Sequence, residues 1–352
     1  MLEKFIKRTV QNQMSEEANS SFAMAGNQLE DSNIRPDVDK SLSAEEKADV
    51  ILKQMTLDEK INMLGVEDNL AIKGLERLGL PKVWCSDASA GVRCFQRATA
   101  FPVPVAMTAT WNRDLLGEIG ETIAKECRAK GVSVLLGPGV NIYRVPTCGR
   151  NFEYMGEDPF LASELVVPYI KGVQSYDVIT TVKHFACNNS DYDRHRMNSI
   201  VDDRTLHEIY FPAFKAAVQK GGSKSVMCSY NPVNGEWASE NHTLLTKVLR
   251  DEWGFDGFVI SDWISLYSTE GPLKAGLDLE MPKADFLTHK RIHALIKRGK
   301  LEEKDIDKPV RNLLKTFFAA GVYERPLKDH QYKEYCEEHS QVSLNAAREA
   351  VV

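Results

Sequence analysis

Hydrophobic and polar positions divide the chain into a polar start and a long patterned remainder. Residues 1 to about 40 carry charged and small polar side chains without a period, which predicts a disordered tail. From Ser43 the pattern becomes regular. Ser43-Ala-Glu-Glu46 has capping-box spacing and predicts a helix to about Gln54, and Thr56-Leu-Asp-Glu59 opens another. Short apolar, β-branched runs then alternate with amphipathic stretches of helical period. The runs are Lys82–Ser86, Val105–Thr110, Val132–Leu136, Val178–Val182, Ser225–Ser229, Phe258–Ser261 and Gly276–Glu280; the stretches include Arg113–Lys130, Pro159–Gln174, Arg204–Lys220 and Leu244–Glu252. A run that is apolar throughout predicts a strand buried on both faces, as in a parallel sheet. Units of this kind in register predict an α/β fold of the TIM-type (β/α)8 class, irregular in that no eighth strand is identifiable. An open doubly wound sheet is the other arrangement such strands allow. No repeat of roughly 20–50 residues is visible.

The length of 352 residues allows one large barrel or two modest domains. A chain that is 43% hydrophobic and 27% charged is ordinary for a globular protein, and a formal charge of −6 argues against nucleic acid or an anionic membrane as partner. Seven cysteines form no C-x-x-C pair, which argues against a zinc ribbon or a dense disulfide framework. No stretch approaches the roughly 18 apolar residues of a membrane span. Ser21-Phe-Ala-Met-Ala-Gly26 resembles a signal-peptidase site, but the charged residues before it provide no apolar core. As written the chain reads as cytoplasmic, or as periplasmic or secreted if its true start lies elsewhere. Nothing specifies an oligomeric state.

The polar residues just beyond each strand are the informative part. The first strand runs into Ser86-Asp87 with Arg93 close behind, and the Val132–Leu136 strand leads to Asn141 and then Arg150 and Glu153. The next ends in Lys183-His184, followed by a polar loop with Asp191, Asp193, Arg194 and His195; later strands lead to Tyr230 and to Asp262-Trp263. Taken singly, each is an ordinary residue: an Asp after a strand caps a helix, and a lone Trp packs in a core. In a barrel, however, strand C-termini converge on one mouth. Carboxylates, guanidinium groups, an ammonium, an imidazole and aromatic faces gathered there suit a polyhydroxylated ligand.

Several spaced motifs resemble family 3 glycoside hydrolases. They are Lys183-His184-Phe185 with Asn188-Asn189 and Arg194, Asp203-Arg204-Thr205-Leu206, Val226-Met-Cys-Ser-Tyr-Asn231, Asn234-Gly235, Gly257-Phe-Val-Ile-Ser-Asp-Trp263, Trp111-Asn112, Gly137-Pro138, Asn141-Ile142, Gly149-Arg-Asn-Phe-Glu153 and Glu157-Asp-Pro159. They occur in the family's order across about residues 45–350. The resemblance implies a retaining β-glycosidase, β-glucosidase first and β-xylosidase next, acting on an oligosaccharide or other β-glycoside without metal or organic cofactor. Asp262 would be the catalytic nucleophile. Asp87, Arg93, Arg150, Lys183, His184 and Arg194 would hold the reacting sugar, Tyr230 would lie against the nucleophile and Trp263 would wall the pocket. One departure is Asp87-Ala88-Ser89 where the family has Asp-Gly-Pro, which bears on how Asp87 and Arg93 are aimed.

A retaining enzyme also needs a general acid/base. The resemblance implies a glutamate on a C-terminal α/β sandwich domain, toward which Ala346–Val352 would lead. The expected organisation is therefore a tail at 1–40, a barrel at 41–325 and a linker at 326–352, without the sandwich. The β-N-acetylglucosaminidase branch uses an Asp-x-His dyad instead, which Asp193-Arg194-His195 superficially fits. Glu153, Glu157 and Glu240 are other carboxylates, in motifs that look structural in the family. Two further readings are a sugar-binding barrel of weak or no hydrolytic activity and a Schiff-base lyase using Lys183.

Overall fold

The computed structural model describes residues 34–93 and 97–351. Most of the expected tail, the Ser21–Gly26 motif and Cys94 lie outside these residues. Both capping boxes form as expected. Ser43 and Thr56 accept from the N–H groups of Glu46 and Glu59, whose carboxylates reach back, opening the helices Ala44–Gln54 and Leu57–Asn62. Ahead of them, Arg35 donates to the Arg325 carbonyl at 2.7 Å.

Eight strands form one sheet, in the order β1 (Val66–Glu67), β2 (Ala71–Ile72), β3 (Val83–Asp87), β4 (Val134–Leu136), β5 (Ile179–Phe185), β6 (Ser225–Cys228), β9 (Phe258–Trp263) and β10 (Leu279–Met281). A small hairpin, β7 (Pro232–Val233) with β8 (Glu236–Trp237), stands apart in the loop after β6. From β3 to β10 the pairing is parallel, whereas β1–β2 and β2–β3 are antiparallel. The Glu280 N–H donates to the Leu64 carbonyl at 2.9 Å, and Gly65 bridges Glu280 in parallel, so the ring closes through the first strands. The irregularity lies in this short antiparallel pair, too brief to leave a periodic pattern.

One expected strand is a helix. Val105–Thr110 falls within Pro104–Ala109 and its cap, with Pro104 at the first helical position and Met107 and Thr108 turned inward. The ring fixes φ near its helical value and removes an N–H that would have had no partner there, so Pro104 opens a helix despite the β-branched residues after it. The Gly276–Glu280 run also begins differently. Gly276, at φ 108°, closes the helix Glu270–Ala275, and the strand starts at Leu279.

The helices Arg113–Lys130 and Pro159–Gln174 have the expected bounds, each opened by a side-chain cap from Asn112 or Asp158. The Arg204–Lys220 stretch is interrupted by a wide turn of π type over Leu206–Tyr210 before Pro212–Gln219. The first two helices pack at glycine contacts: a Cβ on Gly172 would run into the Gly117 carbonyl oxygen, and one on Gly120 into that of Tyr169. Gly172→Ala is therefore expected to destabilise the fold by about 1–3 kcal/mol, although alanine is the better helix former. Thermal unfolding checks this; unchanged or raised stability would show that the helices can move apart freely.

Residues 326–351 lie on the barrel. The helix Glu337–Glu349 sets His339 Nδ1 2.9 Å from buried Glu126, whose carboxylate also takes the Thr99 N–H and hydroxyl. Among the described residues, no helix is long and apolar enough to cross a membrane.

Candidate active site

Strand β5 is buried along its whole length, and its last polar side chains, Lys183 and His184, reach the carboxylates of Asp87, Glu153 and Asp262. Lys183 Nζ lies 2.7 Å from Asp87 at the end of β3 and 3.5 Å from Glu153 in the loop after β4. Asp87 also receives Arg93, whose exposed guanidinium is 3.1 Å away. Arg150 reaches inward from the β4 loop, where it pairs with Glu153, donates to His184 Nε2 at 2.8 Å and sits 3.6 Å from Asp262.

Asp262, in β9, is the centre of this group. Its Oδ1 accepts the Trp263 N–H at 2.7 Å. The other oxygen is buried without a hydrogen bond, 3.3 Å from His184 Nε2 and 3.6 Å from Arg150. Trp263 is half-buried against the core. Arg194 pairs with Asp191 at 2.9 Å and lies 4.2 Å over the ring of Tyr230, which is buried beside Asp262. The structure thus brings together all nine residues singled out in the sequence. Asp262, His184, Arg150, Tyr230 and Arg194 form one cluster and Lys183 with Asp87 the next, while Arg93 stands at the outer edge.

Protonation is set by these neighbours. Burial, together with Arg150 and Lys183, holds the His184 imidazole well below its ordinary pKa, so the ring is neutral at pH 7. An arginine only donates, so its contact to Nε2 leaves the ring proton on Nδ1, 3.0 Å from the Tyr154 hydroxyl. Burial alone would discharge Lys183, but Asp87 and Glu153 outweigh it and the pKa rises. Burial likewise pushes Asp87 up, yet Lys183, Arg93 and Arg150 bring it below the ordinary value. Burial raises the Asp262 carboxyl, while Arg150, Arg194 and the Trp263 N–H oppose the rise.

Two alternatives lose their basis in this arrangement. Lys183 is held as an ammonium between carboxylates and so lacks the free amine that Schiff-base chemistry needs. The Asp193-x-His195 pair does not form a dyad: Asp193 receives Arg196 at 2.9 Å, and His195 Nδ1 meets the Tyr267 hydroxyl at 3.0 Å. His195 is moreover pushed down to about 4 by burial and by Arg194. Glu240 is tucked against Ser268 and Gly271, its pKa raised by burial.

Other residues of the site were not singled out for it, although Asn141 stands in the strand-end pattern. Tyr154 takes Asn188 Nδ2 at 2.9 Å and fixes His184 from behind. Asn141 clamps the His184 backbone, donating to its carbonyl at 2.9 Å and accepting its N–H at 2.7 Å. Trp237 and Tyr267 stack at 4.2 Å, and the Tyr267 hydroxyl donates to the Tyr230 carbonyl at 3.0 Å. A tryptophan within the polar run Asn234–Glu240 is the one signal that could have flagged this aromatic wall.

Known proteins place this geometry in context. Residues 21–316 match the family described as "Glycosyl hydrolase family 3 N terminal domain". Thermostable β-glucosidase B of Acetivibrio thermocellus is 44% identical over 314 residues, covering 86% of this chain and 41% of that protein. An exo-α-(1→6)-L-arabinopyranosidase of Bifidobacterium longum is 38% identical over 318 residues, again 86% of this chain and 41% of the relative. Among solved structures, β-glucosidase 3B from Thermotoga neapolitana in complex with glycerol superimposes with a TM-score of 0.81 at 38% identity, over 86% of this chain and 47% of that one. The chain therefore spans less than half the length of these relatives. By sequence and by fold, it belongs to glycosyl hydrolase family 3, and its barrel is the N-terminal (β/α)8 domain of that family.

Proposed function

We propose that this barrel supplies the sugar subsite and nucleophile of a retaining exo-β-glycosidase, with terminal non-reducing β-D-glucosyl residues as its first substrate. The observation that carries the reading is the second oxygen of Asp262, which is buried, without a hydrogen bond and flanked by Arg150 and His184. A buried carboxylate oxygen without a hydrogen bond is exceptional in a folded protein, and a nucleophile is a role that leaves one open to the substrate. Asp262 would attack the anomeric carbon while the leaving oxygen takes a proton, giving a glycosyl-enzyme that water then hydrolyses. Asp87, Lys183, His184, Arg150, Arg194 and Arg93 would bind the ring hydroxyls. Charged donors strengthen such bonds as positive charge develops on the sugar.

The acid/base is proposed to come from outside residues 41–325, with 326–352 leading toward it. Four described carboxylates around the mouth are engaged by cations: Asp87 with Lys183 and Arg93, Glu153 with Arg150 and Lys183, Asp191 with Arg194, and Asp193 with Arg196. The unformed Asp193/His195 pair weighs against the N-acetylglucosaminidase alternative. The arabinopyranosidase relative keeps a pentopyranoside, as β-xylosidase activity would, within the substrate range to be tested.

Leaving-group dependence tests the division of labour. With a 2,4-dinitrophenyl β-glucoside, which departs without a proton, the chain is expected to give a burst of about one dinitrophenolate per site. The corresponding alkyl glucoside should turn over at least about 10³-fold more slowly, within the range general acid catalysis contributes. Equal rates on both would place an acid/base within these residues. Binding without any burst would make the protein a sugar-binding barrel.

A further inference from the structure

At the seam where the barrel closes, two helices present donor groups to one point. Asp58 and Asn62 are four residues apart on or beside the helix Leu57–Asn62, and His289 and His293 are four apart on His289–Lys297. That spacing sets each pair on one helix face. His293 Nε2 lies 2.6 Å from Asp58 Oδ1 and His289 Nδ1 lies 3.1 Å from the same oxygen, while His289 Nε2 is 3.0 Å from Asn62 Oδ1. One ligand atom from each of Asp58, His289 and His293 falls within 4.8 Å of the others.

We propose that Asp58, His289 and His293 form a divalent transition-metal site of the zinc type, separate from the catalytic mouth. The Asn62 amide oxygen lies 3.0 Å from His289 Nε2, on the far side of the ring from Asp58. His289 Nδ1 and His293 Nε2 both face Asp58 Oδ1, so two ring nitrogens and a carboxylate oxygen converge on one point. Asn62 thus takes the outer position that metal-bound histidines usually give to an oxygen acceptor, which orients the ring. Two imidazole nitrogens and one carboxylate, with a water completing a tetrahedron at about 2.0–2.2 Å, is a donor set that suits zinc over calcium or magnesium. The side chains are partly exposed, so an ion can enter from solvent.

The place in the fold gives the site a consequence. Leu57–Asn62 precedes β1 and His289–Lys297 follows β10, the two strands joined at the Gly65–Glu280 closure. An ion held between those helices would tie the first barrel unit to the last and stabilise the folded state by mass action.

Calorimetric titration of the metal-free full chain with zinc chloride tests this. The expected result is one ion per chain with a Kd of micromolar order, and a rise of about 2–4 °C in the unfolding midpoint at saturation. His289→Ala, His293→Ala and Asp58→Asn should each weaken binding at least about 10-fold and remove the rise. Cobalt(II) in place of zinc should give visible absorption bands of tetrahedral intensity that the His289→Ala/His293→Ala double variant lacks. Absence of zinc binding, or equal binding and stabilisation in the double variant, would overturn the assignment and leave the cluster as a hydrogen-bonded surface contact. Burst formation at Asp262 is expected to be unchanged in these variants, which separates this test from that of the catalytic reading.

Discussion

Replacing Asp262 by Asn is expected to abolish glycosyl-enzyme formation while leaving the fold intact. Asparagine is nearly isosteric, and its side-chain oxygen can still accept the Trp263 N–H that Oδ1 holds at 2.7 Å. What disappears is the second carboxylate oxygen, which has no hydrogen bond of its own. An amide is no substitute as a nucleophile, so the burst with a dinitrophenyl β-glucoside should slow by about 10⁴-fold or more, at least about 5.4 kcal/mol of barrel-held transition-state stabilisation. Stability should move the other way. Burial raises the pKa of this carboxyl, so its charged form is disfavoured in the folded state and a neutral replacement should leave the melting point unchanged or slightly higher. Intact-mass labelling with a 2-deoxy-2-fluoro glucoside and a thermal melt check both halves. Undiminished labelling of the Asp262→Asn protein would remove Asp262 from the mechanism. Asp262→Ala with added azide extends the test, because azide entering from the emptied side should yield a glycosyl azide of inverted configuration.

Much of this site was legible because parallel strands deliver their C-termini to one rim. Asp87, Lys183, His184 and Asp262 each sit at the end of an apolar run, so the run predicts both the strand and the place of the polar residue. The capping residues Ser43, Thr56, Asn112 and Asp158 located helix starts for the same local reason: a side-chain oxygen needs only the next turn's N–H groups. Features that rest on distant contacts were not legible. Tyr154 matters through its hydroxyl, 3.0 Å from an imidazole 30 residues away, and the Trp237–Tyr267 stack joins loops after different strands. The closing strands β1 and β2 have two residues each, below any period. Val105–Thr110 misled because β-branched composition outweighed the one decisive residue, Pro104, which opens a helix there.

Lys183→Met is expected to disable the sugar subsite and to weaken the fold in a pH-dependent way. The Nζ group is buried between Asp87 and Glu153, at 2.7 and 3.5 Å. Methionine fills much of the same space but leaves those carboxylates without their shared cation. Glu153 keeps Arg150 and Asp87 keeps the exposed Arg93, so the loss should be near the lower end for a broken buried pair, about 3 kcal/mol at neutral pH. Asp87 sits below the ordinary carboxylate pKa in the folded protein largely through Lys183, with Arg93 and Arg150 adding to it. A group depressed in this way contributes stability that is present above its unfolded pKa, roughly 3.9, and is lost as pH falls through the folded value. The gap between wild type and Lys183→Met should thus be widest near pH 7 and shrink below about pH 4, where the carboxyls take up protons in both proteins. Urea unfolding at a series of pH values measures it; a gap independent of pH would mean that packing, rather than charge, is what Lys183 contributes. The same variant should lose the burst at Asp262 at accessible glucoside concentrations, because the sugar loses the ammonium donor and meets an Asp87 paired with the exposed Arg93 alone. A retained burst with an unchanged concentration dependence would take Lys183 out of the subsite while leaving the stability argument standing, so the two roles can be separated in one protein.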